Sequence, residues 1–331
     1  MISAAIPQSG TLQRVAGNGK VRAGVVTLVV LALLAMAHPI LQMTVWDGLG
    51  SIYHPETGHD RAIEHPSGSS SRHWLGTDAL GRDVVSSLTF SMTPALQVAL
   101  LAALLTGALS LLAGSVAAYL RGWVDALLTN AGDALTLIPP TLALLVAGIG
   151  RPGFGVIDSG VLFGLLYGLG PAMLVIRARA LAVAAKPFVD AARVAGASPR
   201  RIVGIHLLPH LLPYAGIQMM SAGIWALATV AFVQYLGATD AARVGLGSMI
   251  YAGLDFQPVL PTGFGSFNLG EYHARVSWTS MLSAGLAMTL ISASFYLIAV
   301  GTRDAIIPDT GRKDQGRRAP AKSEPSQEVS Q

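Results

Sequence analysis

Asp78, Arg82 and Asp83 stand close together in the run His73-Trp74-Leu75-Gly76-Thr77-Asp78-Ala79-Leu80-Gly81-Arg82-Asp83. Two carboxylates and a guanidinium at that spacing are expected to form an ion-pair cluster. Gly76 and Gly81 allow the tight turns that bring them together, and Thr77 or Asp78 is placed to cap a short helix. A structural elbow and a substrate contact both fit such a segment. A second group, Asp190, Arg193, Arg200 and Arg201, surrounds the turn sequence Gly196-Ala197-Ser198-Pro199. The third pair, Asp125 and Asp133, is eight residues apart and so shares roughly one helical face. Asp133, deeper in an apolar run, is a candidate gate or helix–helix hydrogen bond.

Other chemistry is missing from the sequence. There are no cysteines, which excludes disulfides and thiol nucleophiles. No phosphate loop, G-x-S-x-G or H-E-x-x-H string occurs, so neither an ATP cradle nor a hydrolase site is expected in this chain. His54, His59, His65 and His73 share one stretch, but their irregular spacing argues against a metal site. The chain is expected to be no enzyme and to carry no cofactor or metal of its own.

The elements holding these groups are apolar. Of 331 residues 52% are hydrophobic and 12% charged, and mean hydropathy is +0.54, against about 25% charged in soluble domains. The pI near 9.5 comes without a basic face on a soluble module, so nucleic acid is not an expected partner. Crossing a bilayer takes about 20 apolar helical residues. Six segments qualify, at 23–45, 94–120, 124–149, 156–176, 214–236 and 277–300, giving an all-α membrane protein with six transmembrane helices. Among the 22 Lys and Arg, only Arg61, Arg72, Arg82, Arg151, Arg243 and Arg275 fall on the outer side if the N-terminus is inside. That bias places both termini in the cytoplasm. Basic residues, a short apolar core and Ala35-Met36-Ala37 also resemble a cleavable signal, but the apolar run continues to Val45 and is read as a retained span. Residues 1–22 form a cytoplasmic N-terminal tail and 46–93 an outer loop. Residues 94–307 hold five spans, and 308–331 form a polar, disordered cytoplasmic tail.

The cytoplasmic stretch 182–213 carries the densest local signals. Pro187 suits the first position of a helix and Asp190 its first turn, and Gly196 closes it in a left-handed cap. Ser198 as N-cap and Pro199 at N1 start a second helix, bounded by Pro209 and Pro213. Two short helices on a tight turn make a compact knob suited to docking in a partner's groove. A basic loop that only anchors topology is the plainer alternative.

Asp190-Ala191-Ala192-x-x-x-Gly196 with His206-Leu207-Leu208-Pro209 resembles the EAA loop of binding-protein-dependent ABC importer permeases, with Asp190 in place of the usual Glu. The outer run His73-x-Leu75-Gly76-Thr77-Asp78-x-x-Gly81-Arg82-Asp83 resembles the C-type subunit of the dipeptide, oligopeptide and nickel permease family. Arg121-Gly122-Trp123-Val124-Asp125, Ile138-Pro139-Pro140 and Arg303-Asp304-Ala305 also look like that family. The likeness spans residues 20–308 and weakens around 234–275, where a longer Gly- and Pro-bearing loop occurs. It implies a type I ABC importer permease fold in the inner membrane. Residues 190–193 and 196–201 would couple to two ATPase subunits, which bind ATP and Mg. A homologous second permease and an extracytoplasmic binding protein are the other implied partners. Di- or oligopeptide is the implied cargo, with nickel or oligosaccharide as alternatives. An ion-coupled secondary transporter is a further reading, for which only Asp133 and His38 offer intramembrane ligands.

Overall fold

A computed structural model describes residues 8–237, 244–253 and 277–306, and every regular element among them is helical. The outer stretch 255–275 and the tail 308–331 lie outside the described residues. After α1 (Gln8–Gly17), Asn18 accepts a hydrogen bond from the Lys20 N–H and starts α2 (Gly19–Thr44), the first span. This cap lets the helix begin before the apolar run does. Its apolar side chains stay exposed, Val26 and Leu33 at 61% and Met43 at 78%, as expected of a surface that meets lipid rather than water.

A short α3 (Gly50–Tyr53) leads through a loop to α4 (Val84–Leu120), 37 residues long. The second span therefore starts ten residues before Pro94, and residues 84–93 belong to it rather than to the outer loop. The reason is Asp83, whose side chain caps the helix on the Ser86 N–H at 2.7 Å. Pro94 lies within the helix and does not end it.

The third apolar segment is bent. α5 (Gly122–Leu137) and α6 (Pro140–Gly150) meet at 74°. Ile138 and Pro139 each precede a proline and take extended backbone, which the α conformation cannot satisfy there. The fourth span is also in two pieces, α7 (Val156–Leu169) and α8 (Pro171–Ala184), joined at Gly170. Next come α9 (Pro187–Val194), α10 (Pro199–Arg201), a π-helical stretch Ile202–Leu207, and α11 (Leu208–Tyr235). The last elements are α12 (Leu246–Gly253) and α13 (Trp278–Ile306). Five helical stretches are long and apolar enough to cross a membrane, and six when the bent α5–α6 pair counts as one.

Helix α4 is the hub, packed against α2, α7, α8 and α11. Small residues set its closest approach: a Cβ at Gly164 would lie 2.7 Å from that of Leu105, and Gly160 faces Leu101 in the same way. Between membrane helices such packing contributes what the hydrophobic effect does not. A cluster including Leu31, Ala99, Ile291 and Phe295 joins α2, α4 and α13. A second cluster, with Ile176, Val189, Ile202 and Leu211, holds the α8–α11 region together.

Candidate functional site

Around the loop of residues 182–213 the local sequence folds as its caps dictate. Helix α9 buries Val189 and exposes Asp190 and Arg193. Gly196 has φ +77, the left-handed region open to glycine. The Gly196 N–H donates to the Arg193 carbonyl and the Ala197 N–H to the Ala192 carbonyl, each at 3.0 Å. These two bonds form a Schellman closure. Ser198 occupies the N-cap position with extended backbone, and Pro199 is N1, but the Ser198 side chain makes no capping bond.

The boundary expected at Pro209 and Pro213 does not exist. Both prolines lie inside α11, and the run from Pro199 to Tyr235 is continuous helix. The π stretch explains the passage of Pro209. At the shift between wide and normal turns the backbone bonding is already displaced, with the Leu208 N–H donating to the Val203 carbonyl.

Arg193 does not project freely. It donates to Asp190 Oδ1 at 3.0 Å, and its guanidinium carbon lies 5.3 Å from the centre of the Tyr119 ring, tying α9 to the end of α4. Arg200 and Arg201 are exposed, as are Ala191, Ser198 and Pro199, while Ala192 and Ala197 are half-buried against the cluster below. Val194 is 91% exposed, an unpartnered apolar side chain at the tip of the knob.

The segment of residues 73–83 is a buried hydrogen-bonded fold. Gly76 and Gly81 have φ +77 and +83, and Thr77 pairs with Asp83 in an antiparallel bridge. The expected three-member ion cluster is split in two. Asp78 pairs with Arg82 at 2.8 Å and also accepts the Arg82 backbone N–H. Asp83 turns instead to His73 Nδ1 at 2.9 Å and to its capping role on α4. Helix capping thus falls to Asp83 rather than to Thr77 or Asp78. Thr77 is engaged with His65 and Ser67, and Leu75 is partly buried against the core.

The sequence reading missed Asp60, whose carboxylate faces the other nitrogen of His73, Nε2, at 3.3 Å. Nothing in local spacing marks it, because it lies in a loop closed only by the fold. His73 is fully buried between the two carboxylates. The Ala62 N–H holds the Asp60 carboxyl below its ordinary range, assisted by His73 and Arg72 against the effect of burial. Burial pushes Asp83 up, opposed by the Ser86 N–H and His73. The Ser277 hydroxyl donates to the Thr77 carbonyl at 3.1 Å, so the segment also anchors the start of α13.

In the spans, Asp125 is held by Arg177 of α8, and Asp133 is exposed on α5. Asp133 makes no hydrogen bond among the described residues, although its field reaches Arg177. No group of three or more His, Cys, Asp or Glu that could hold a metal occurs among the described residues.

A helical chain with five or six candidate membrane spans is an integral-membrane protein. Residues 110–311 match the family of the binding-protein-dependent transport system inner membrane component, and the chain belongs to it. Over 300 residues, 90% of each chain, it is 29% identical to a Brucella abortus protein named "Putative peptide transport system permease protein". A dipeptide transport system permease protein of Alkalihalophilus pseudofirmus is 26% identical over 291 residues, 86% of this chain and 84% of that one. A glutathione transport system permease protein of Pectobacterium atrosepticum is 26% identical over 250 residues, 76% of each. The chain is therefore the inner-membrane permease of an ABC importer that works with ATPase and binding-protein subunits. This leaves no basis for the ion-coupled secondary transporter.

Proposed function

We propose that this permease carries di- or oligopeptides inward through a path shared with a homologous second permease, with both termini in the cytoplasm. Two ATPase subunits, holding ATP and Mg, dock on the knob formed by residues 190–193 and 196–201. The observation that carries the coupling reading is the Schellman-closed turn at Gly196, topped by exposed Val194 and continuous with α11. An exposed apolar tip on a rigid turn suits a partner groove. The cargo reading rests on the peptide and glutathione names of the relatives; nickel and oligosaccharide are the alternatives from the likeness of the outer segment.

Uptake of labelled di- to pentapeptides in cells lacking the gene, complemented with wild type or with Gly196→Val, tests both. Rescue by wild type and failure of an inserted variant support peptide import through a coupled knob. Rescue by both at equal rate refutes the coupling role. Peptide uptake that does not depend on the gene, in cells without redundant importers, refutes the cargo.

A further inference from the structure

The outer ends of α2, α4, α7 and α11 do not close on one another. Gly160 and Gly164 press α7 against α4, but nearer their N-terminal ends the two helices part and leave a cavity of about 790 Å³. That volume suits a small ligand. Its floor is one face of α4, Phe90, Thr93, Pro94 and Gln97, at the helical spacing of neighbours. Met36 and His38 wall one side, Phe154 and Ser159 another, and Val230 and Gln234 close the end.

Three features select the ligand. Among the described residues, the Glu56 carboxylate, which lines the cavity, forms no ion pair, and no Lys or Arg lines it. Its field therefore favours a cation and opposes an anionic lipid headgroup. Gln97 and Gln234 add carboxamides, which an acyl chain would not need; Gln234 Oε1 already accepts from the Gly247 N–H at 3.3 Å, leaving its NH₂ group to donate. Phe90 and Phe154 offer an aromatic wall for an apolar group.

We infer that this cavity receives the amino-terminal end of a short peptide, its ammonium at Glu56, its first amide between Gln97 and Gln234, and an apolar first side chain against Phe90 and Phe154. The inference rests on the peptide reading above and adds a preference to it, for a free N-terminus and an apolar first residue.

The test uses the assembled transporter in lipid nanodiscs, with its binding protein, and a dipeptide whose leucine-like first side chain carries a diazirine. After illumination, mass spectrometry is expected to find label on Met36, Phe90 or Phe154. Glu56→Gln removes one charge-assisted contact and should lower that labelling about tenfold. Ser159→Leu, which narrows the cavity, should lower it too, with complex yield unchanged. Wild-type label outside the cavity, or equal labelling with Glu56→Gln, overturns the inference while uptake of the peptide persists. Label at these positions from a phospholipid with a diazirine acyl chain, unaffected by Glu56→Gln and by the peptide, overturns it in favour of lipid. If an intact wild-type complex neither transports nor takes label from the dipeptide, the peptide reading itself fails.

Discussion

Arg177 grips Asp125 with two arms of its guanidinium, Nε to Oδ1 at 2.5 Å and Nη2 to Oδ2 at 2.6 Å. The pair joins α5, half of the bent α5–α6 pair, to α8, the second part of the fourth span. Both side chains are mostly shielded, at 25% and 18% exposure, so removing one partner strands the other's charge. Arg177→Ala should cost about 3 kcal/mol. Arg177→Lys keeps the charge but loses the fork and should fall between. Thermal midpoints of the purified permease check the order, and equal midpoints for all three proteins would show the pair to be idle.

The elbow at His73 makes a second prediction. With a carboxylate on each ring nitrogen, His73→Ala leaves Asp60 and Asp83 facing across a cavity and should cost about 2–4 kcal/mol. Because the segment anchors the starts of α4 and α13, proteolysis from the outer side should cut within residues 54–83 in the variant before wild type is touched. Unchanged protection would remove the elbow from the list of structural ties.

Acid should act on the same place. The Asp60 carboxyl titrates lower in the fold than in the unfolded chain. The unfolded state therefore binds the proton first as pH falls, and the stability Asp60 contributes at neutral pH is lost through and below the ordinary carboxylate range. Asp83 is raised and acts in the opposite direction, its protonation being easier in the fold. Asp60→Asn should flatten the fall in thermal midpoint between about pH 5 and pH 3, and a curve parallel to wild type would contradict this assignment.

At Gly196 the constraint is backbone alone, since a Cβ there would meet nothing within 4 Å. Asn tolerates the left-handed region and should keep transport near wild type, Ala should lose part, and β-branched Val should lose most. Loss in all three variants alike would point to a steric contact with a partner instead of turn geometry.

Proline and glycine signals made α9, its left-handed closure and the helix start at Pro199 legible, because each acts within one turn of chain. Long apolar runs revealed the spans for a similar reason. Boundaries failed where a distant or unusual feature decided them. Asp83 extended α4 by ten residues before Pro94, and the π stretch carried the helix through Pro209. The Asp78–Arg82 pair was visible at four-residue spacing, whereas Asp60 meets His73 across thirteen residues of loop. Arg193 over Tyr119 joins residues 74 positions apart, and no local pattern encodes it.

The unbroken run from Pro199 to Tyr235 also has a mechanical meaning. At 1.5 Å per residue it is a helix about 55 Å long, and on the proposed coupling reading it would act as a lever with the wide turns of Ile202–Leu207 near its driven end. The arm beyond that joint is several times longer than the arm before it. A small tilt about the π stretch would therefore swing Gln234 and Val230 several times farther than it moves Pro199, trading force at the knob for travel at the outer mouth.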